Sequence, residues 1–544
     1  MLSRSDSRQL AVVALVTALL YFPFVNKALN IDADMLVHTS RQMLVNPLDP
    51  PLGDFGRLLV LHDHTNMPPS SVFYRNGHPP LLPALLAPVI ALAGNREWPL
   101  HLTLFPAYLL SVAAVWCLLG LFYKGECRLY GTLIWAACPA LFVNSHNVMW
   151  DVSITALILG SFVLFLAGLR RNSAALVMWS GIVAGLAAVT KVNALPLFVV
   201  CPVYLIASRR FRFLALWLVP AAALPLAWVI HNIIVYRRIQ YLSVGWFAFT
   251  AGDIRYRMER TVSYFGGALV LPVFWLWLLA ARRKLAELAV SLAIGAGWGM
   301  VLVLALGKSA WYGVSYALFA ATGIWLLYRT VLFFRSAKIG TVKSWEPRLI
   351  AGFAAMYLGV LVIMPSASMR YVLPLVPFGL LPILEEASRL GPRHRTVLLC
   401  ATLSVGAIFS VSLAVGDYLH AESDRRLPQA LIAKGITPEK TWYYGRMSYE
   451  YYLYRAGFRN LRGDPGEPHA GDWLVHELIP GDYAAPAMIG PRLSAVPIDT
   501  IEFCRWPVRT AGFSAGFYGD DRLPYVVRFG QPQKQYCVYV MKQR

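Results

Sequence analysis

The sequence predicts a polytopic α-helical membrane protein with a small polar α/β domain at its C-terminal end. Three observations carry this reading. Of 544 residues, 57% are hydrophobic and only 14% charged, with a mean hydropathy of +0.53; soluble domains carry about a quarter charged residues. Long apolar runs recur from residue 10 to residue 416. Beyond about residue 420 charges of both signs become interspersed, with 16 basic and 13 acidic residues in the tail against 33 and 16 before it.

The first apolar run, Leu10 to Phe24, follows Arg4 and Arg8 and lacks a small-residue cleavage site, so it reads as an uncleaved span. Twelve more runs occupy roughly 99–123, 130–149, 152–169, 174–190, 194–207, 213–235, 264–281, 285–306, 309–328, 349–364, 371–388 and 396–416. This predicts about 13 transmembrane helices. The segment His78 to Gly94 is apolar but carries Pro79, Pro80, Pro83 and Pro88. If it lies at the interface rather than spanning, each short basic cluster falls on one side with the N-terminus, as the positive-inside rule requires. These clusters are Lys124/Arg128, Arg170/Arg171, Arg209/Arg210/Arg212, Arg282/Arg283/Lys284, 329–348 and 389–395. The expected layout is therefore a membrane domain over 1–419, an extracytoplasmic first loop over 28–98 and an extracytoplasmic domain over 420–544. One loop runs against the rule, with Arg237, Arg238, Arg255, Arg257 and Arg260 on the outer side.

The tail reads as α/β because stretches such as Thr441 to Tyr444 and Pro524 to Phe529 alternate with the turn pairs Gly463-Asp464, Gly481-Asp482 and Gly519-Asp520. The net charge of +20 belongs mainly to the membrane loops, which excludes nucleic-acid binding as its explanation. None of the seven cysteines forms a zinc-ribbon spacing. Cys504 and Cys537 alone lie in the polar tail, where an oxidising compartment would permit a structural disulfide between them.

Chemistry-bearing residues gather at the outer ends of the spans. Asp32 and Asp34 follow the first span, where a carboxylate can deprotonate an attacking hydroxyl or help hold a divalent cation; a solvated turn is the plainer reading. His62-Asp63-His64 lacks a third clear ligand, so no metal site is assigned. His78 opens His78-Pro79-Pro80. Asp151 sits between two runs with almost no loop around it, and an ionisable group so placed is a functional candidate by default. Lys191, Lys308 and Arg370 are outer-side cations at span ends. Each alone could snorkel to headgroups; together they could hold a phosphate.

The order of these features resembles the GT-C class of integral-membrane glycosyltransferases. The resemblance rests on the acidic first loop, His78-Pro79-Pro80, Asp151 at a span end, the Gly-x-x-x-x-Thr-Lys ending at Lys191, and Arg370-Tyr371-x-x-Pro374-x-x-Pro377. Within that class the sequence is similar to bacterial phospholipid-carrier-dependent enzymes related to protein O-mannosyltransferases and the lipid A aminoarabinose transferase. The resemblance implies a GT-C-like membrane domain in a bacterial inner membrane, with the active site on the extracytoplasmic face. It implies transfer of a hexose or pentose, with inversion, from a polyprenyl-phosphate donor to a protein, lipid or glycan acceptor. Asp32 or Asp34 and Asp151 would be the catalytic carboxylates; Lys191, Arg370, Lys308, His78 and Tyr371 would contact substrate. No cofactor is required, although a divalent metal is compatible with the site; membrane lipid is a further partner and nucleic acid is not. Rival readings are a lipid-linked-sugar transporter or flippase, and an O-antigen-ligase-like transferase acting on a diphosphate-linked oligosaccharide.

Overall fold

The computed structural model describes residues 4–48, 78–94, 96–237, 239, 241, 251–281, 284–336, 345–364, 367–444, 448–461, 466–478, 492–511, 515–519 and 521–544. His62-Asp63-His64, Arg238, Arg282/Arg283 and the Gly463-Asp464 and Gly481-Asp482 turns lie outside these residues.

The membrane portion comprises α1 (Arg4–Tyr21), α2 (Ala33–Val45), α3 (Leu81–Ala93), α4 (Glu97–Leu119), α5 (Gly125–Ala136), α6 (Pro139–Ser145), α7 (Trp150–Arg171), α8 (Ala174–Ala188), α9 (Leu195–Ala207), α10 (Phe211–Tyr236), α11 (Ala251–Ala268), α12 (Pro272–Ala280), α13 (Leu285–Leu306), α14 (Ala310–Ser336), α15 (Glu346–Ile363), α16 (Val376–Ser388) and α17 (Pro392–Ala433). A 3-10 turn, Met369–Leu375, leads into α16. The chain is an integral, multi-pass membrane protein, as its composition predicts. Among the described residues nine helices are long and apolar enough to cross a membrane, or ten if α11 and α12, bent by 83°, make one span.

All thirteen predicted runs lie on helices, but three are too short for the length criterion. α8 and α9 have 15 and 13 residues, about 22 and 20 Å at 1.5 Å per residue. The run 130–149 is split at Ala137-Cys138, where Pro139 starts a new helix. His78–Gly94 forms α3, whose 13 residues also fall short of a span. Close helix crossing relies on small residues: a Cβ on Gly299 would stand 2.5 Å from the Gly313 carbonyl oxygen, so α13 and α14 touch along their backbones.

The basic clusters meet one another through ion pairs. Arg128 bonds Asp6 at 3.0 Å, Arg329 bonds Glu386 at 2.6 Å, and Arg170 clasps Glu346 with both forks of its guanidinium. Asp151 and Arg170 occupy opposite ends of α7, so the candidate acidic site stands a full helix length from the Arg170–Glu346 pair.

The tail is a mixed sheet with strand order β2-β1-β3-β7-β4, built from β1 (Thr441–Tyr444), β2 (Arg459–Asn460), β3 (Trp473–Glu477), β4 (Leu493–Arg505) and β7 (Pro532–Gln543), with α18 (Ser448–Arg455) between β1 and β2. A separate two-stranded ladder joins β5 (Val508–Arg509) and β6 (Val526–Val527). The boundary expected at residue 420 falls inside α17, whose 42 residues run from the membrane portion into the tail. Asp424 on that extension accepts Lys534 at 2.8 Å, Ser448 at 2.5 Å and the Tyr536 hydroxyl, so the helix is anchored in the sheet by a buried carboxylate.

The disulfide expected between Cys504 and Cys537 is not formed. Both thiols are free, Cys504 exposed and Cys537 buried. The β4–β7 register sets Cys537 opposite Thr500, four residues from Cys504, or roughly 13 Å along the strand. Bridged cysteines need Cα atoms within about 7 Å. Iodoacetamide on the folded protein is accordingly expected to modify Cys504 and spare Cys537. Denaturation without reductant should expose both, and a peptide retaining a 504–537 linkage would overturn this reading.

Candidate active site

Asp151 occupies the first turn of α7, after Met149 in extended conformation. A carboxylate there faces the unbonded N–H groups of the helix start and its positive dipole end. Lys191 lies just beyond α8 in extended backbone, with its N–H still bonded to Ala187. Arg370 sits in the 3-10 turn ahead of α16. Three helix ends thus converge and bring an acid and two cations together: Lys191 Nζ donates to Asp151 Oδ1 at 2.7 Å, and Arg370 Nε stands 3.5 Å from Asp151 Oδ2. Asp151 and Lys191 are each 2% exposed.

Asp32 joins them from the first loop, accepting Arg370 Nη2 at 2.8 Å. Its side chain remains 31% exposed. The guanidinium is further fixed by Ser368 Oγ at 2.9 Å and Met149 Sδ at 2.8 Å. Tyr371 closes one side, with Lys191 Nζ 4.0 Å from its ring centroid, a cation–π contact favourable in a desolvated setting. The two carboxylates and two cations make a quartet of zero net charge. Such pairing is what lets charges persist in a buried site.

The structure separates the two first-loop aspartates. Asp34 points away from Arg370, is 4% exposed and accepts the N–H of Met35. Burial, together with the nearby Glu450 and Asp32 carboxylates, raises its pKa well above the usual carboxylate range. It lies outside the quartet, beside Glu450 rather than beside the cations.

His78 stacks edge-on against Trp150 at 4.5 Å between centroids, and the bond from Leu81 N–H to Val189 O at 3.1 Å brings the start of α3 beside Lys191. Burial and the charges of Lys191 and Arg370 lower the His78 pKa well below the ordinary value, which keeps its imidazole neutral. Lys308 is not brought into the group. It is exposed in the turn between α13 and α14, with its ammonium 5.3 Å from the Tyr312 ring centroid.

Two further groups border the quartet and were not singled out by sequence. The Tyr357 hydroxyl, from α15, lies beside the Asn193 amide and close to Asp151 and Tyr371, while Asn193 Oδ1 is buried without a partner. On the other side, Lys27 pairs with Asp417 in a buried network with Asn30, Asn147, Thr510 and Tyr518. Lys27 and Asp417 carry the same signal as Lys191 and Asp151, a charged residue at a span end, each standing just beyond an apolar run that ends at 24 or 416. Nothing in the sequence marks Asn193 or Tyr357 apart from ordinary polar residues. Among the described residues no group of three or more His, Cys, Asp or Glu stands close enough to hold a metal.

Residues 77–235 match the family model of dolichyl-phosphate-mannose-protein mannosyltransferases, a stretch that includes His78, Asp151 and Lys191. No curated protein matches the chain. Two similar solved structures are of ArnT from Cupriavidus metallidurans. The one bound to undecaprenyl phosphate shares 15% identity at a TM-score of 0.43 and covers 97% of each chain. The apo state gives the same identity and TM-score and covers 90% of this chain and 95% of that one. The family-model match bears out the resemblance to membrane glycosyltransferases read from the sequence.

Proposed function

We propose that this chain transfers a sugar from a polyprenyl-phosphate-linked donor to an acceptor hydroxyl or amine on the extracytoplasmic face of a bacterial inner membrane. The observation that carries the reading is the charge-neutral quartet of buried Asp151, Lys191 and Arg370 with half-buried Asp32 at the converging ends of apolar helices. The family-model match over residues 77–235 supports a polyprenyl-phosphate donor, and the cations are placed to receive its phosphate.

Charge accounting explains why two acids accompany two cations. In the proposed step the acceptor oxygen or nitrogen bonds the anomeric carbon while the bond from that carbon to the phosphate oxygen breaks. The acceptor proton passes to Asp32, the more accessible carboxylate, acting as general base. The phosphodiester gains one negative charge as it leaves, and the quartet, with one acid protonated, gains one positive charge beside it. Lys191 and Arg370 stabilise the leaving phosphate through charge-assisted hydrogen bonds. Asp151 holds both cations in place, and Tyr371 and His78 shape the pocket. Attack from the face opposite the leaving phosphate inverts the anomeric centre.

A transporter would place its charged groups near the bilayer midplane, whereas Asp151, Lys191 and Arg370 sit at helix ends. The reading is tested by incubating the full chain in vesicles with a panel of radiolabelled polyprenyl-phosphate sugars and membrane extract. Label should move to an acceptor fraction in right-side-out vesicles. Absence of transfer with every donor would end the reading, and transfer confined to inverted vesicles would reverse the assigned face.

A further inference from the structure

We propose that Asp417 is a positioning residue that sets the distance between the two site carboxylates, and that the polar tail is thereby a structural wall of the site rather than an appended domain. The inference rests on the reading of the quartet as the catalytic group.

Asp417 is 1% exposed on α17 and gathers partners from three parts of the chain. Lys27, just ahead of the first loop, pairs with it. Asn30 Nδ2 reaches Oδ1 at 3.2 Å, and Asn147 Nδ2, from the link between α6 and α7, reaches Oδ2 at 3.3 Å. From the tail, the Thr510 and Tyr518 hydroxyls each donate at 2.7 Å. Lys27 also donates to Asn147 Oδ1 at 2.6 Å, and Asn147 Nδ2 bonds Tyr518 Oη at 2.6 Å. One carboxylate therefore holds the segment two residues before Asp32 and the segment four residues before Asp151.

Between Asn30 and Asp32 stands Ile31 at φ 53°, a conformation that β-branched residues avoid. It persists because both its neighbours are fixed, Asn30 by Asp417 and Asp32 by Arg370. The tail also reaches the cation. Met369 N–H bonds Gly516 O at 2.9 Å, and the Tyr518 ring centroid lies 5.8 Å from the Arg370 guanidinium. Packing at Asp417 depends on its neighbour Gly416, where a Cβ would fall 2.3 Å from Val508 O, so β5 lies directly on the α17 backbone. Trp506 Nε1 reinforces the contact by donating to Ser412 O at 2.8 Å.

Catalysis by placement is sensitive to small displacements, about 100-fold for a 1 Å shift. Asp417→Asn is therefore expected to lower kcat by about 100-fold and Tyr518→Phe by about tenfold. The donor KM should stay within about twofold and the donor-binding stoichiometry should not change, because Lys191 and Arg370 remain in place. Hydrogen exchange, which does not depend on turnover, should quicken in peptides covering 25–36 and 144–152 and not across the bundle. Thr510→Val and Tyr518→Phe serve the same comparison if Asp417→Asn does not fold. Loosening without a fall in kcat, a fall in kcat without loosening, or a rise in exchange spread over the whole protein each overturns the inference. If the wild-type protein transfers no sugar, the proposed function falls and the exchange pattern alone decides this one.

Discussion

Asp151→Asn is expected to reduce kcat/KM by about a thousandfold, and Asp32→Asn by a similar factor, while Asp34→Asn stays within a few fold of wild type. The first two remove a charge from a quartet in which each carboxylate faces Arg370, at 2.8 Å for Asp32 and 3.5 Å for Asp151; losses of roughly 10²–10³ are typical when one preorganised electrostatic contact is deleted. Asp34 serves as the internal control, since it lies in the same loop, carries the same side chain and is buried away from Arg370. Asparagine nearly preserves volume, so packing is a minor confounder. At Asp151, however, Lys191 is left buried without its partner, which costs about 3–5 kcal/mol in a buried pair. Transfer per folded molecule, normalised by donor-binding stoichiometry, separates lost chemistry from lost fold. Wild-type turnover in both Asp151→Asn and Asp32→Asn would remove the carboxylate assignment.

The second large effect concerns the cations. Lys191→Met and Arg370→Met are each expected to raise the donor KM by about 10- to 100-fold, the equivalent of about 1.5–3 kcal/mol for a hydrogen bond to a charged group. Lys191→Arg should rescue only in part. The guanidinium fork is planar and wide, whereas the present ammonium is a compact charge 2.7 Å from Asp151 and 4.0 Å from the Tyr371 ring centroid. Lys308→Met should leave the donor KM unchanged, because Lys308 is exposed beside Tyr312 and apart from the quartet. Titration of each variant with undecaprenyl phosphate checks the series. Equal affinity in wild type, Lys191→Met and Arg370→Met would place the phosphate elsewhere.

Much of this was legible in the sequence because it is written locally. Apolar runs declare helices whatever their neighbours do, since a span must satisfy its own backbone hydrogen bonds. A charge at a span end stands out against that background, as Asp151 and Lys191 do. Span length was less legible. Ala137-Cys138 interrupts a run that hydropathy alone reads as continuous, and α8 and α9 are apolar throughout yet short.

Pairing is a different matter. Asp32 and Asp34 are one residue apart and chemically identical, yet one meets Arg370, 338 residues away in sequence, and the other is sealed against Glu450. The choice depends on which way α2 faces when the tail packs on it, and no local propensity encodes that. The cysteines show the same limit: both sit in strand-like sequence, and only the register of β4 on β7 sets them four residues out of line. A membrane bundle with acids and cations at the ends of its helices is readable from residue order. Which of those charges meet is set by the packed fold, because a buried charge is tolerated only beside its partner and that partner is supplied by packing at long range.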